Sequence, residues 1–199
     1  MAESYFGLGP PVARYPLHMS KEALARSIAD AALLRGQFTL RSGKTSSYYL
    51  DKYLFSTRPE VLGQLAPMFA ERIDALEARL DIEIDRLAGA ELGGIPLVTA
   101  ASLATGLPSI FVRNKKKDYG TAKQVEGALE KDDVVVMLED VATTGGQALE
   151  AVAVLREAGA KVVAVIATID RMEGARDNIE KTGVLFESLF NVADLGVRP

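Results

Sequence analysis

The stretch VVVMLEDVATTGGQ, residues 134–147, joins an apolar run to two adjacent acids and then to a Thr-Thr-Gly-Gly turn. The β-branched residues at 134–138 predict a buried strand, and GQALEAVAVLREAG, residues 146–159, predicts a helix. Other strand-like and helix-like segments alternate through the second half of the chain. Strands joined by helices at this spacing favour an α/β fold with a mainly parallel central sheet, in which ligands bind beyond the carboxyl ends of the strands.

The turn after this strand has the features of a phosphate site. The N–H groups of Thr143 to Gln147 open the helix and lack partners within it, and such groups attract anions. Gly145 and Gly146 carry no side chain where a phosphate would approach, while the hydroxyls of Thr143 and Thr144 can donate to its oxygens. We therefore predict that this turn binds a phosphate group.

Glu139 and Asp140 stand side by side directly before the turn. Adjacent carboxylates repel one another, so this arrangement needs a partner rich in hydroxyls or positive charge. Both acids are acceptors suited to the 2- and 3-hydroxyls of a ribose, which favours a sugar phosphate ligand. Neither the nucleotide P-loop pattern nor the dinucleotide-binding glycine pattern occurs in the sequence. The alternative is a plain helix cap with both acids solvated at the rim.

The remaining segments also predict regular structure, from hydrophobic period and from glycine and proline positions. The predicted elements are a helix at 20–35 closed by Gly36, a hairpin around Ser42-Gly43, a helix at 59–78 that Pro67 kinks or restarts, a strand at 85–89, a helix at 96–105, and strands at 108–114 and 160–170.

Composition bounds the class of protein. With 199 residues, 48% of them hydrophobic, the chain suffices for one globular domain. The net charge of -4 argues against binding to duplex nucleic acid, which requires clustered cations. No apolar segment reaches the roughly 18 residues of a membrane span, and the absence of cysteine fits a reducing cytoplasm. We expect a cytoplasmic protein with neither a nucleic-acid nor a membrane partner.

The ordered string at 134–147 resembles the phosphoribosyl diphosphate motif of the type I phosphoribosyltransferases. Three other segments extend this resemblance over residues 36–175 and are similar to the orotate phosphoribosyltransferase family. They are GQFTLRSGKTSSYYLD at 36–51, the basic segment RNKKKDYG at 113–120, which resembles the mobile catalytic loop, and ATIDRMEG at 167–174.

The resemblance implies a single phosphoribosyltransferase domain over 1–199, with residues 1–55 forming a small N-terminal hood. It also implies transfer of the 5-phosphoribosyl group from phosphoribosyl diphosphate to orotate, which gives orotidine 5′-phosphate and diphosphate in pyrimidine (UMP) biosynthesis. Mg²⁺ is implied as cofactor, bound mainly through the donor and without metal-ligating protein residues. A homodimer with shared active sites is the implied assembly.

The same resemblance implies roles for individual residues. The implied catalytic residues are Lys117 and Asp140. The implied binding site for phosphoribosyl diphosphate comprises Arg41, Arg113, Lys117, Tyr119, Glu139, Asp140, Val141, Ala142, Thr143, Thr144, Gly145, Gly146 and Gln147. The implied orotate site comprises Tyr49, Thr143 and Arg171.

The sequence departs from the family at three positions. Asn114 and Gly93 stand where many relatives have a lysine, so a diphosphate contact at Gly93 is absent or comes from elsewhere. Tyr119 stands where relatives often have a histidine. Other interpretations remain at this stage: a solvated basic loop at 113–120, an Asp170-Arg171 surface pair, a regulator that senses the donor, or transfer to another base. A carboxylated base would give Arg171 a purpose that an uncharged base would not.

Overall fold

The computed structural model describes residues 19–39, 45–115 and 123–197. The predictions made for Arg41, Lys117 and Tyr119 lie outside the described residues, as does the predicted turn at Ser42-Gly43. The helices are α1 Lys21–Ala32, α2 Lys52–Ser56, α3 Pro59–Leu80, α4 Gly94–Thr105, α5 Gly146–Glu157 and α6 Ala175–Glu180. The strands are β1 Leu33–Thr39, β2 Thr45–Leu50, β3 Arg86–Ala90, β4 Ser109–Val112, β5 Val125–Glu126, β6 Val134–Ala142, β7 Lys161–Asp170 and β8 Leu185–Asn191.

The central sheet confirms the α/β prediction. Its strand order is β5-β4-β3-β6-β7-β8. The five strands β4, β3, β6, β7 and β8 are parallel to one another. Short β5 is antiparallel to β4 at the edge. β1 and β2 form a separate antiparallel pair, which confirms the predicted hairpin.

Helices cover both faces of the sheet. Alternate residues of β6 enter two hydrophobic clusters: Val136 and Leu138 pack with α1, α2, α3 and α4, while Val135 and Met137 pack with α5 and α6. Full burial of one such side chain contributes about 2 kcal/mol relative to exposure. Because both faces are covered, the strand ends are the part of the sheet left available for a ligand.

The predicted end of the central strand was wrong. β6 does not stop at 138 but continues through Ala142, with three further pairs to β7 that run from Glu139 opposite Ala167 to Ala142 opposite Asp170. The ladder continues because β7, with 10 residues, offers partners along the whole of β6, so the partner strand and not the hydrophobic run sets the end. The two acids therefore lie inside the strand.

Two helix predictions also differed from the structure. α1 ends at Ala32, and Gly36 lies in β1 because the chain pairs with β2 from Leu33 onward. α3 is one helix of 22 residues and does not restart at Pro67. Pro67 and Gly63, whose carbonyl loses its helical partner, are both exposed, so water can serve that carbonyl. In the described part of the chain, no helix is long and apolar enough to cross a membrane.

Candidate active site

The carboxyl ends of β3, β4 and β6 meet at one edge of the sheet and line a pocket. Its walls include Gly93 after β3, Arg113 after β4, Glu139 and Asp140 in β6, and Gln147 at the start of α5. Of the predicted donor-binding residues at 139–147, Glu139, Asp140 and Gln147 line this pocket together with Arg113, whereas residues 141–146 are not part of its lining. The parallel sheet produces this convergence, because all three strands end on the same side.

The acid pair is buried in the floor of the pocket. Glu139 is 6% exposed and Asp140 is 1% exposed, so the alternative of two acids solvated at the rim was wrong. Burial, and then the neighbouring Asp140 charge, raise the pKa of the Glu139 carboxyl well above its ordinary value. Asp140 Oδ1 accepts the N–H of Val141 at 2.6 Å. Among the described residues, Glu139 Oε2 is buried without a hydrogen-bond partner.

Lys52, which sequence reasoning did not include in the site, contacts the acid pair. Its ammonium donates to Asp140 Oδ1 at 3.2 Å and lies 3.0 Å from Oδ2. Burial lowers the pKa of Lys52, but attraction to Asp140 outweighs it, so the pKa is raised and the ammonium stays charged. The only sequence signal was that Lys52 directly follows the segment resembling the donor and orotate site.

The glycine turn forms the N-terminus of α5. Gly145 is the residue before the helix and has φ +79°, a left-handed conformation that favours glycine. A Cβ atom at this position would also lie 3.0 Å from the Ile179 side chain. α6 holds the turn, since Asn178 Nδ2 donates to the Thr144 carbonyl at 2.9 Å. The N-terminus of α5 is therefore held next to the pocket, which Gln147 lines.

The two ends of the predicted catalytic loop are tied together. Arg113 N–H donates to the Gln124 carbonyl at 2.9 Å, and Gln124 Nε2 donates to the Arg113 carbonyl at 2.8 Å. The Asn114 N–H donates to Glu91 Oε1 at 2.7 Å, which joins the start of the loop to the segment after β3. These contacts hold Arg113, Asn114 and Gln124 together in the lining of the pocket.

Arg171 follows β7 and turns toward the hairpin. Its Nε and one terminal nitrogen donate to the Tyr48 hydroxyl at 3.1 and 2.9 Å, and that nitrogen lies 2.9 Å from Glu173 Oε1. The Arg171 side chain is 10% exposed, so the alternative of a simple surface pair with Asp170 was wrong. Tyr49 is largely exposed, with its ring centroid 5.7 Å from that of Phe38.

A parallel sheet with a glycine turn and a buried acid pair at its carboxyl edge is the arrangement of the phosphoribosyltransferase class. Residues 58–197 match the phosphoribosyl transferase domain family. The orotate phosphoribosyltransferase of Natronomonas pharaonis is 45% identical over 89% of this chain and 98% of its own length. That of Pyrococcus abyssi is 44% identical over 88% and 94%.

A solved structure gives the same relationship. The orotate phosphoribosyltransferase of Mycobacterium tuberculosis in complex with 5-phospho-α-D-ribosyl 1-diphosphate superposes with a TM-score of 0.70. Its sequence identity is 30%, and the match covers 89% of this chain and 99% of that chain. The chain belongs to the orotate phosphoribosyltransferases.

Proposed function

We propose that the protein transfers the 5-phosphoribosyl group from phosphoribosyl diphosphate to orotate, in pyrimidine (UMP) biosynthesis. The C1–O bond to diphosphate breaks and its electron pair leaves with the diphosphate, while a ring nitrogen of orotate forms the new bond to C1 and its N–H proton is released to solvent or to the departing diphosphate. The observation that carries the proposal is the buried acid pair beside the glycine turn, in a chain similar to orotate phosphoribosyltransferases over most of its length.

The donor lies along the sheet edge in this proposal. The N–H groups and hydroxyls of residues 143–147 hold its 5-phosphate, next to Val141 and Ala142. Glu139 and Asp140 accept the ribose hydroxyls and stabilise the positive charge that develops on the ring as the C1–O bond breaks. Glu139 Oε2 supports this role, because a ribose hydroxyl would give this buried oxygen a donor.

The leaving diphosphate needs positive charge that is present mainly in the transition state. Arg113 at the start of the loop and Lys117 within it supply that charge when the loop covers the pocket, and Tyr119 and Arg41 add donor contacts. Mg²⁺ would be held mainly by donor oxygens at the acid pair and would neutralise the diphosphate. In the described residues no group of three or more acids and histidines is arranged to hold a metal ion.

Arg171 is proposed to hold orotate through its carboxylate. A guanidinium can offer two parallel N–H donors to a carboxylate, and Tyr48 already orients those of Arg171. Glu173 contacts one terminal nitrogen of Arg171, so it must share or release that nitrogen when orotate binds. Tyr49 offers an exposed ring on which a pyrimidine can stack, and Thr143 lies between the two substrates.

We also propose one domain over residues 1–199, with the hood at 1–55 packed on it. Leu24 and Ile28 of α1 support this, because they enter the same hydrophobic cluster as Leu138 of β6. A cytoplasmic location stays a prediction that cell fractionation tests.

The proposed assembly is a homodimer in which the Lys117 loop reaches the partner's site. Mixing inactive Lys117→Ala with inactive Asp140→Asn protein should then restore part of the activity, because one hybrid site has both residues intact. Sedimentation measures whether the protein is a dimer. Activity after subunit exchange measures whether the two chains share active sites. No recovery after proven exchange would place Lys117 and Asp140 of one site in the same chain.

The test of function is an assay with phosphoribosyl diphosphate, Mg²⁺ and one base at a time. We expect loss of orotate absorbance that requires Mg²⁺, with no comparable turnover of uracil, adenine or hypoxanthine. Binding of the donor without consumption of any base would instead favour a sensor. Arg171→Lys tests the orotate contact, because it keeps the positive charge but removes the two parallel N–H donors. Its KM for orotate should rise about tenfold.

A further inference from the structure

The ammonium of Lys52 is placed at the wall of the donor pocket. Lys52 is the first residue of α2, it lines the same pocket as Gly93 and Arg113, and its side chain is 29% exposed. Its contact with Asp140, by contrast, is made to an almost fully buried carboxylate. The ammonium therefore contacts the buried acid, lies 5.6 Å from the centroid of the Tyr53 ring, and belongs to a side chain that lines the pocket and is partly exposed.

The segment between β3 and α4 approaches Asp140 through a glycine. Gly93 lies against Asp140, and a Cβ atom built on it would lie 1.6 Å from Asp140 Oδ2, well inside contact distance. The backbone at Gly93 therefore approaches the acid directly, and Lys52 brings positive charge to the same carboxylate from the hairpin side. In the described part of the chain, Lys52 and Arg113 are the basic residues of this pocket.

The chemistry of the donor indicates which of its groups meets Lys52. In the proposed function the turn at 143–147 after β6 binds the 5-phosphate. The diphosphate at the other end of the ribose must then extend over β3 and β4. This is the side of the pocket lined by Gly93, Arg113 and Lys52. The side chains of Glu91 and Glu150 also line this pocket. Because their negative charge repels a diphosphate, a diphosphate bound there needs a nearby cation.

We propose that Lys52 is a further residue of the donor site, whose ammonium binds the diphosphate and leaves Asp140 to the ribose hydroxyls. This inference rests on the proposed function. Without substrate, Lys52 neutralises Asp140, which lies beside the equally buried Glu139. When the donor binds, the partly exposed ammonium exchanges one anionic partner for another and so remains paired with negative charge.

The test separates the two ends of the donor by equilibrium binding. Wild type and Lys52→Met are titrated with inorganic diphosphate plus Mg²⁺ and, separately, with ribose 5-phosphate. We expect Lys52→Met to bind diphosphate about tenfold or more weakly, as for loss of a charge-assisted contact, and to keep its affinity for ribose 5-phosphate within about twofold. Lys52→Arg should recover part of the diphosphate affinity.

Lys161→Met is the matched control. Lys161 pairs with Asp132 at 3.1 Å, but both residues are exposed, and Lys161 begins β7 at the opposite end of the sheet. This control should bind both probes as wild type does. If Lys52→Met does not fold, the double variant Lys52→Met/Asp140→Asn is compared with Asp140→Asn alone, and the same loss of diphosphate affinity is expected.

Two results would overturn the inference. Unchanged diphosphate affinity in Lys52→Met would show that the ammonium does not reach this group. Equal losses for diphosphate and ribose 5-phosphate would mean that Lys52 only positions Asp140. If wild type turns over orotate and Lys52→Met still binds diphosphate as wild type does, this inference is refuted and the proposed function stands. If wild type binds neither probe, the proposed function is refuted as well.

Discussion

Strand β6 has buried acids at both ends, and their surroundings are opposite in kind. Asp133, directly before the strand, pairs with Arg86 and accepts the Glu130 N–H at 2.7 Å. Glu139, near the other end, has one oxygen without a hydrogen-bond partner in the described structure and a second acid beside it. The first acid has its partners within the protein, whereas in the proposed function a ligand supplies the missing donor to the second.

The pKa values of the two acids reflect this difference. Burial alone would raise the pKa of Asp133, but the Arg86 and Glu130 hydrogen bonds outweigh it and lower that pKa. At Glu139, burial and the Asp140 charge raise the pKa. Ionisation therefore favours folding at one end of β6 and opposes it at the other, as expected when stability is given up at a functional site.

Asp140→Asn should have the largest effect on activity. The amide keeps the size of the side chain but loses the charge that stabilises the cationic ribose, so kcat/KM should fall by about a hundredfold to a thousandfold. Steady-state assays with orotate and the donor measure the loss. Asp132→Asn is the control, because Asp132 is exposed in its pair with Lys161. Activity within about threefold of wild type in Asp140→Asn would remove this residue from catalysis.

Asp133→Asn should reduce stability while leaving the chemistry intact. It breaks the pair with Arg86, whose side chain is 14% exposed, and the expected loss is about 2 kcal/mol of unfolding free energy. Urea denaturation measures it, with Asp132→Asn expected to lose less than 0.5 kcal/mol. Wild-type stability in Asp133→Asn would mean that the pair at this end of β6 contributes no more than a surface pair.

Glu139→Gln should alter the dependence of stability on pH. Because the folded pKa lies above the ordinary value of 4.5, ionisation of Glu139 destabilises the fold progressively as pH rises from 4.5 through the folded pKa. The variant should lose that decline and gain about 1 kcal/mol at neutral pH, while catalysis weakens. In the described structure, Glu139 shares this pocket with charged side chains from other elements, namely Lys52, Glu91, Arg113 and Glu150.

Asp133 provides the opposite sign for comparison. Its lowered pKa contributes stability that is present above 3.8 and is lost as pH falls through the folded pKa. Both variants should therefore approach wild type at low pH and differ from it with opposite signs at neutral pH, where Glu139→Gln is more stable and Asp133→Asn is less stable. Parallel curves for the two variants would mean that the ends of β6 do not differ as described.

Tyr48→Phe should have the smallest effect. The ring remains, but Arg171 loses the hydroxyl that accepts two of its N–H groups, so its orientation becomes less defined. We expect the KM for orotate to rise by about threefold to tenfold, with the KM for the donor unchanged. Equal changes in both KM values would indicate a general disturbance of the hairpin.

The local parts of the fold and site could be predicted from the sequence. Residues 134–147 carry a strand, two acids, a glycine turn and a helix start in one contiguous segment, so each signal supports the next. β8, α6 and α2 were not predicted, because α2 and α6 have only five and six residues, β8 lacks a strict alternation of apolar and polar residues, and all three depend on packing against the rest of the fold. The end of β6 depended similarly on pairing with β7.

The contacts that complete the site could not be predicted, because they join distant parts of the chain. Lys52 and Asp140 are 88 residues apart, and Tyr48 and Arg171 are 123 residues apart. Composition and period give no information on which side chains meet at such separations. The resemblance identified Arg171 and Asp140, whereas only the fold brought Lys52 and Tyr48 to them.

The most direct measurement compares wild type, Asp140→Asn and Asp133→Asn in one orotate assay with phosphoribosyl diphosphate and Mg²⁺, at a temperature where all three are folded. We expect wild type and Asp133→Asn to consume orotate at similar rates, and Asp140→Asn to be slower by about a hundredfold or more. Equal rates in all three proteins, or no consumption by wild type, would show that the acids at this end of β6 do not serve phosphoribosyl transfer.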